Sequence, residues 1–230
     1  MQSGAIIVPE WTLLNAAHTF RRSTIVPSLQ KAARSPQRAS RLRQRAPADG
    51  QLPRSPTVLL LVDVINPLQF DGADNLAGPA VEAAARIAVL KQKLAARGVA
   101  TVYVNDNFGH WRSEFAHLLA HCRRLRGPAA TLARRLAPGP DDYTVLKPRN
   151  SGFDQTPLEL LLSRLGAREL VITGLAADLC VQFTAMDAFS RGYKLWVPQD
   201  CTAAESPERT QAALAWMKLA LRCRTNPSED

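Results

Sequence analysis

The chain has 230 residues, with 29 Lys and Arg against 20 Asp and Glu, so its formal net charge is +9. This length suffices for one large α/β core. No run of about 20 apolar residues occurs, so the sequence predicts no membrane-spanning helix. The four cysteines, Cys122, Cys180, Cys201 and Cys223, show no short paired spacing, which predicts reduced thiols and a cytoplasmic protein.

Most of the net positive charge, +7 of the +9, lies in the first 54 residues, which contain nine Lys or Arg but only two acids, Glu10 and Asp49. Repeated Ser and Pro residues add the composition of a linker. We therefore expect a disordered extension over residues 1–54 and one domain over residues 55–230. An Arg-rich, acid-poor start is typical of an organellar transit peptide, but a bacterial extension or a mistaken upstream start fits equally well. The extension lacks interleaved aromatic residues, which argues against nucleic acid as a partner.

In chain order, the apolar patterns alternate between strand and helix. Strands are predicted over residues 57–63, 99–105, 143–147, 169–173 and 194–197, with a further edge strand as an option over residues 219–222. Helices are predicted over residues 77–97, 112–124, 156–165, 178–190 and 207–217. This alternation with short connections predicts an α/β fold of three layers, a doubly wound, mainly parallel sheet with helices on both faces.

Three reactive side chains stand at or just after the ends of predicted strands, namely Asp63, Lys147 and Cys180. In a doubly wound sheet the carboxyl ends of the strands line the crevice in which ligands bind, so we expect the three to converge there. Each also has a simpler interpretation. Asp63 is then a cap of the following turn, Lys147 a solvated surface charge and Cys180 a small buried apolar residue. Convergence of all three favours a catalytic site.

The segments around these residues resemble the isochorismatase-like cysteine hydrolases, a family that includes nicotinamidase and N-carbamoylsarcosine amidase. The matching segments, in chain order, are Leu60-Leu61-Val62-Asp63, Lys147 with Ser151-Gly152-Phe153, Gly174-Leu175-Ala176-Ala177-Asp178-Leu179-Cys180-Val181, Thr184-Ala185-Met186-Asp187-Ala188 and Gly192-Tyr193. The resemblance spans residues 55 to 223, and its blocks occur in the order that the family shows.

The resemblance implies a triad in which Cys180 attacks a carbonyl carbon to form a thioester, Asp63 transfers the proton and Lys147 supplies positive charge. It also implies a cis peptide bond before Ala176, with the N–H groups of Ala176 and Cys180 as the oxyanion hole. We expect burial to raise the pKa of Asp63, and we expect Lys147 and a helix start at Cys180 to favour the thiolate. Asp178 is expected to be a cap or a structural acceptor of the turn.

Nicotinamidases carry metal ligands after their second strand, in a stretch resembling Asp-Trp-His-Pro-x-x-His. The corresponding stretch here retains Asp106 but has Phe108 and Arg112 at the His positions, and neither side chain binds zinc as imidazole does. We therefore predict no metal and no cofactor, and nicotinamide becomes a less favoured substrate. His117 and His121, four residues apart, are more typical of a polar helix face than of a metal site.

Asn107, Trp111 and Arg112 follow the second strand and are expected to border the substrate pocket. Trp111 is then a wall of the pocket, and Arg112 a clamp for a substrate carboxylate, which guanidinium groups bind through two parallel hydrogen bonds. Each of the three is equally well interpreted as a packing or surface residue.

The sequence therefore predicts a cysteine amidohydrolase that cleaves a C–N bond of a small-molecule amide, has no membrane partner and, like its relatives, forms homo-oligomers. Two alternatives stay open. One is isochorismate-type hydrolysis, although family members with that activity generally lack the cysteine. The other is a catalytically inactive binding protein of the same fold.

Overall fold

The computed structural model describes residues 52–112 and 114–229, and nearly all of the predicted extension lies outside these ranges. The described residues form the strands β1 (Thr57–Val62), β2 (Ala100–Asp106), β3 (Tyr143–Lys147), β4 (Glu169–Leu175), β5 (Lys194–Trp196) and β6 (Thr202–Ala203). The helices are α1 (Ala73–Ala95), α2 (Phe115–Arg124), α3 (Pro128–Arg135), α4 (Leu158–Leu165), α5 (Gln182–Ser190) and α6 (Pro207–Ala220). None of the described helices is long and apolar enough to cross a membrane.

All strand pairs of the sheet are parallel, in the order β3-β2-β1-β4-β5, and the short β6 lies beside the end of β4. β1 therefore lies between β2 and β4. Its residues from Val58 to Val62 are fully buried, as expected for a strand with helices on both faces. This arrangement confirms the predicted doubly wound α/β fold.

Alternate side chains of the central strand belong to two separate apolar clusters. Leu60 and Val62 face a cluster formed with α4, α5 and α6, whereas Leu59 and Leu61 face one formed with α1, α2 and α3. Full burial of each such side chain contributes about 1.5–3 kcal/mol. The central strand is thus fixed from both faces, and this rigid support holds the residues that follow it.

Most helices and strands begin and end within a few residues of their predicted bounds, but three helices differ more. α5 begins four residues after its predicted start, because a π-helical turn over Ala177–Val181 precedes it. α1 begins four residues before its predicted start and contains Pro79. α3 is absent from the predicted elements. Its start is marked by Gly127, which has a φ of 68°, and by Pro128 at the first helical position, where the missing N–H of proline has no cost.

The predicted edge strand over residues 219–222 is wrong. α6 continues through Ala220, because Leu and Ala are strong helix formers and no breaker precedes them. The sheet edge is instead extended by Arg224, which makes a single parallel bridge beside β5. Its N–H donates to the carbonyl of Leu195 at 3.0 Å, and its carbonyl accepts the N–H of Val197 at 2.8 Å.

Candidate active site

The carboxyl ends of three neighbouring strands bring three charged side chains together. Asp63 follows β1, Asp106 ends β2 and Lys147 ends β3. Asp106 and Lys147 are register partners in the β2–β3 pair, and the N–H of Asp63 donates to the carbonyl of Val104 on β2 at 2.9 Å. Because strands that run parallel and in register end at the same edge, these side chains meet there.

Lys147 lies at the centre of the site and is fully buried. Its Nζ is 2.9 Å from Asp63 Oδ2, 3.3 Å from Asp106 Oδ2 and 3.3 Å from Cys180 Sγ, and it donates to the carbonyl of Arg149 at 3.1 Å. Burial alone lowers the pKa of Lys147, but the negative charges of Asp63 and Asp106 and the hydrogen bond with Asp63 outweigh it and raise this pKa above its ordinary value. Lys147 is therefore a cation throughout the physiological pH range.

Asp63 is held from two sides. Its Oδ1 accepts the N–H of Asp106 at 2.6 Å, and its Oδ2 contacts Lys147. The backbone at Asp63 has a φ of 50°, in the left-handed region that Asp enters more readily than most residues. Burial raises the pKa of this carboxyl, against the opposing effects of the Lys147 charge and of a hydrogen bond with the Cys180 thiol. Asp63 is thus a stronger base than a solvated aspartate.

Cys180 sits in a tight connection between β4 and α5. The bond between Leu175 and Ala176 is cis, as the resemblance implies. A single π-helical turn, Ala177–Val181, then leads into α5, and the carbonyl of Ala176 accepts the N–H of Val181 at 3.2 Å. This connection places the Cys180 sulfur on the side of the sheet edge where Lys147 and Asp63 lie.

Gly174 allows this connection to pass close to the central strand. Its φ is 113°, and a Cβ at this position would lie 2.0 Å from the carbonyl oxygen of Val62. Only glycine fits such a close approach. Because Val62 directly precedes Asp63, the approach also brings the chain leading to Cys180 next to the proposed base.

Opposing effects act on the thiol of Cys180. Burial and the charge of Asp63 raise its pKa to about 12, and these effects outweigh the opposing charge of Lys147. Lys147 thus favours the thiolate, as expected from the sequence, whereas the loss of water and the neighbouring carboxylate, which the sequence interpretation left out, favour the thiol.

Asp106 is the member of this cluster whose contact with Lys147 the sequence interpretation missed. The sequence drew attention to it only as a remnant of a metal motif. Its position at the end of β2, between β1 and β3 in the sheet, is the same signal that identified Asp63 and Lys147. Applied to every strand, that signal would have found it.

The segment after Lys147 is tied to the helix that follows Cys180. The N–H of Gly152 donates to Thr184 Oγ1 on α5 at 3.0 Å. A Cβ on Gly152 would lie 2.8 Å from Val104 Cγ1, so a larger residue would push this segment outward. These contacts give a structural reason for two of the family-like segments, because they fix the segment after Lys147 relative to α5.

Asp178 anchors the turn from the outer side. Its Oδ2 lies 2.5 Å from Nε of Arg209 on α6, and Nη1 of Arg209 lies 2.5 Å from Glu205 Oε2. The other oxygen of Asp178 is buried and has no hydrogen-bond partner among the described residues. The contact with α6 fits the expected role of a structural acceptor.

The three predicted substrate-binding residues lie in the segment after β2. Asn107 is half-buried beside the cluster: its N–H donates to the carbonyl of Lys147 at 3.0 Å, and its Oδ1 accepts the N–H of Gly109 at 2.9 Å. Trp111 and Arg112 occupy the exposed part of the segment, and Trp111 is 79% exposed. Their contact with substrate stays a prediction.

The residues at this edge do not fit the metal site of nicotinamidases. The Asp106 carboxylate is occupied by Lys147 and by the N–H of Phe108, at 2.6 Å. Phe108 and Arg112 offer no imidazole at the remaining ligand positions. A cation would have to compete with the buried ammonium of Lys147 for the carboxylates of Asp63 and Asp106.

His117 and His121 are exposed on α2, whereas the adjacent Cys122 is fully buried in the core. Within residues 52–112 and 114–229, no group of three or more His, Cys, Asp or Glu is arranged to hold a metal ion. All four cysteines of the chain are free thiols.

Two open surface grooves lie beside this edge and at the opposite edge of the sheet. The first, of about 740 Å³, is formed by the segment after β3 and one side of α5, with Arg149, Phe153, Phe183 and Arg191 among its lining residues. The second, of about 780 Å³, lies where β1, β4 and β5 begin. None of the three side chains Asp63, Lys147 and Cys180 lines either groove, so the contacts among them, and not a large cavity, identify the reactive site.

Comparisons with known proteins show the family to which the chain belongs. The Isochorismatase domain family model matches residues 57–225. The chain is 35% identical over 163 residues to the uncharacterized isochorismatase family protein YaaI of Bacillus subtilis (strain 168), covering 71% of this chain and 89% of YaaI. It is also 43% identical over 82 residues to the ureidoacrylate amidohydrolase RutB of Enterobacter sp. (strain 638), covering 36% of each protein.

Among solved structures, the pyrazinamidase/nicotinamidase of Streptococcus mutans UA159 matches with a TM-score of 0.58 and 26% identity, over 74% of this chain and 99% of that one. A parallel sheet with a reactive cluster at its carboxyl edge is the architecture of a doubly wound α/β enzyme. The chain belongs to the isochorismatase family, as a hydrolase of that family.

Proposed function

We propose that this protein is a cysteine amidohydrolase that cleaves a C–N amide-type bond of a small molecule through a thioester on Cys180. The observation that carries the proposal is the buried contact of Lys147 Nζ with both Asp63 Oδ2, at 2.9 Å, and Cys180 Sγ, at 3.3 Å. A thiol, a carboxylate of raised pKa and a permanent cation are the groups that nucleophilic attack on an amide requires.

In the first half-reaction, Cys180 Sγ attacks the carbonyl carbon of the amide while its proton passes to Asp63. A C–S bond forms, and the π electron pair of the carbonyl moves onto oxygen. The backbone N–H groups of Ala176 and Cys180 are the proposed donors to this oxygen. When the intermediate collapses, the C–N bond breaks, and Asp63 returns the proton to the departing nitrogen. Ammonia or an amine leaves, and the acyl group stays on sulfur.

In the second half-reaction, a water molecule attacks the thioester carbon and gives its proton to Asp63. The C–S bond breaks, the carboxylic acid leaves, and the proton moves from Asp63 back to sulfur. Lys147 stays protonated in both steps, because its role is to stabilise negative charge on sulfur as that charge develops. Burial makes Asp63 a stronger base than a solvated carboxylate, and the charge of Lys147 opposes the rise in the pKa of the Cys180 thiol, so both effects favour the proton transfer.

The named relatives support a C–N bond as the target. RutB is an amidohydrolase, and the structure from Streptococcus mutans is a pyrazinamidase/nicotinamidase. Nicotinamide itself is less favoured for this chain, because Phe108 and Arg112 replace the expected metal ligands. We propose a small amide, and Arg112 is the candidate clamp if that amide carries a carboxylate.

Isochorismate-type hydrolysis is the second candidate reaction, and an inactive binding protein of the same fold is the third. The contact of Cys180 with Lys147 argues against both, because neither vinyl ether hydrolysis nor simple binding needs a thiol beside a buried ammonium. Free thiols at Cys122, Cys201 and Cys223 support a reducing compartment such as the cytoplasm.

The test is ammonia release from a panel of amides, ureas and carbamoyl compounds, together with intact-protein mass spectrometry after rapid acid quenching. We expect at least one compound to release ammonia and to leave an acyl mass on the Cys180 peptide. Cys180→Ala should abolish both signals, with a loss of at least about 10⁴-fold in rate.

Cys122→Ala is the matched control, because it removes an equally small side chain that is buried away from the site. It should keep both signals. Absence of turnover and of an adduct across the whole panel, in a folded wild-type protein, would favour the inactive binding protein. Turnover that survives in Cys180→Ala would exclude the thioester route.

A further inference from the structure

The Lys147 ammonium has more acceptors around it than it has hydrogens. It carries three N–H donors. Four acceptors lie within 3.3 Å of Nζ: Asp63 Oδ2, Asp106 Oδ2, the carbonyl oxygen of Arg149 and Cys180 Sγ. One of the four acceptors must therefore share an N–H donor with another acceptor or receive none. The neutral sulfur of a thiol is the weakest acceptor of the four, so it is the one that competes poorly.

Asp106 is fixed in this position by its own contacts. Its backbone N–H holds Asp63 Oδ1 at 2.6 Å, and its Oδ1 accepts the N–H of Phe108 at 2.6 Å, which leaves Oδ2 directed at Lys147. The same residue thus holds the proposed base through its main chain and binds the cation through its side chain. No proposed step of the reaction uses this carboxylate.

We propose that Asp106 is a positioning residue that balances the charge of Lys147 and thereby keeps Cys180 as a thiol until substrate is bound. The inference rests on the proposed function, in which Cys180 is the nucleophile. The contacts of Asp106 themselves are present without any substrate. A second carboxylate on Lys147 reduces the positive charge available to the sulfur. The nucleophile of the resting site is therefore protected from ionisation and from reaction with stray electrophiles.

Two charged groups contact the Cys180 sulfur, Asp63 after β1 and Lys147 at the end of β3. Asp106, at the end of β2, acts on the sulfur only through its contact with Lys147. Removing the negative charge of Asp106 leaves the charge of Lys147 balanced by Asp63 alone, so both the thiolate and the Asp63 carboxylate become more stable. Asp106→Asn makes this change while keeping the size of the side chain.

The experiment is the pH dependence of Cys180 alkylation by iodoacetamide, followed on the Cys180 peptide by mass spectrometry. It needs no substrate and no turnover. In Asp106→Asn we expect the alkylation midpoint to fall by about one pH unit, so that below the midpoint Cys180 reacts about tenfold faster than in the wild type. If activity is found, the acid limb of kcat/KM should move to lower pH as well.

Two further variants make the result specific. Asp106→Glu keeps the charge and should restore the wild-type midpoint. Asp142→Asn removes the partner of another lysine, Lys91, at 2.5 Å and near the opposite end of β3, and should leave the Cys180 midpoint unchanged. A merely structural role for Asp106 would lower the melting temperature of Asp106→Asn without lowering the midpoint.

An unchanged or raised midpoint in folded Asp106→Asn overturns the inference, and so does a lowered midpoint in Asp106→Glu. If Asp106→Asn fails to fold, Asp106→Ser, which also removes the charge, takes its place with the same expected fall of the midpoint. A shift of the wild-type midpoint on addition of EDTA also overturns it, because Asp106 would then hold a metal ion. A lowered midpoint without any acyl adduct supports the inference while the proposed function fails. An acyl adduct on Cys180 without a lowered midpoint in Asp106→Asn supports the proposed function and overturns the inference.

Discussion

Two lysines of this domain are bound to aspartates, and the comparison between them shows what makes one cluster reactive. Lys147 is fully buried and contacts two carboxylates and a thiol. Lys91 on α1 contacts Asp142 at 2.5 Å and the hydroxyl of Tyr103 at 3.0 Å, and its side chain is 18% exposed. Both are ion pairs, but only the Lys147 cluster lies at the carboxyl ends of strands and includes a nucleophile.

The difference lies in where the strands end. The residues around Lys147 come from the ends of β1, β2 and β3 and from the turn after β4, the edge of a doubly wound sheet at which ligands bind. Asp142 precedes β3, and Tyr103 lies inside β2, where neighbouring strands surround it. The two ion pairs therefore differ in their position in the sheet, and under the proposed function only the Lys147 pair takes part in the chemistry.

The largest expected effect is on activity. Asp63→Asn removes the proposed base and should lower kcat/KM by about 10²–10⁴-fold, whereas Asp142→Asn should leave it unchanged. The measurement is the initial rate of ammonia release from the best compound of the panel. Equal losses of kcat/KM in Asp63→Asn and Asp142→Asn would mean that the two clusters are coupled. The contrast between the Lys147 and Lys91 clusters would then be wrong.

A second effect concerns stability. Lys147→Met leaves Asp63 and Asp106 facing each other without a cation, which should cost about 3–5 kcal/mol of unfolding free energy in urea. Lys91→Met should cost about 1–2 kcal/mol, because its pair is partly solvated and Asp142 keeps the N–H of Gly139 as a donor.

The pH dependence of this stability loss sharpens the same comparison. Without Lys147, the folded-state pKa of Asp63 rises further above its unfolded value, so stability is retained at low pH and lost as pH rises. The Lys147→Met deficit should therefore be larger at pH 8 than at pH 5. A deficit that is independent of pH would point to lost packing and not to the uncompensated carboxylates.

The comparison also shows how much the sequence could predict. The strands of this fold are continuous apolar runs, and parallel strands in register end together, so the meeting of Asp63, Lys147 and Cys180 follows from the order of the elements. The contact of Asp106 with Lys147 follows from the same rule, that parallel strands in register end at one edge. It was not predicted because Asp106 was interpreted only as the remaining residue of a metal motif.

The state of the thiol was beyond the sequence for a different reason. Whether Cys180 is ionised depends on how much water is excluded and on how far Asp63 lies from the sulfur, and both are properties of the packed site. The position of Arg224 at the sheet edge likewise depends on where α6 stops. Local patterns predict the elements, whereas the balance of opposing charges requires the three-dimensional arrangement.

A smaller effect is expected in the pH profile of activity. The base must be ionised to accept the thiol proton, so kcat/KM should fall as pH drops through the raised pKa of Asp63, at a midpoint above the ordinary value of about 4. Because the pKa of Lys147 is also raised, no alkaline loss is expected below about pH 10. An acid midpoint at or below the ordinary aspartate value would contradict the burial of Asp63.

The smallest effect is expected at Tyr103, which links the two clusters along β2 because it lies three residues before Asp106. Tyr103→Phe removes the hydroxyl that accepts from Lys91, and the net loss of such a hydrogen bond is about 1 kcal/mol. Lys91 keeps Asp142, and its Nζ stays over the ring, 5.1 Å from the centroid. Unfolding in urea should show this small loss with an unchanged rate of ammonia release. A reduced rate would mean that Asp106 is positioned through β2 by the Lys91 cluster, and the separation between structural and reactive ion pairs would then be incomplete.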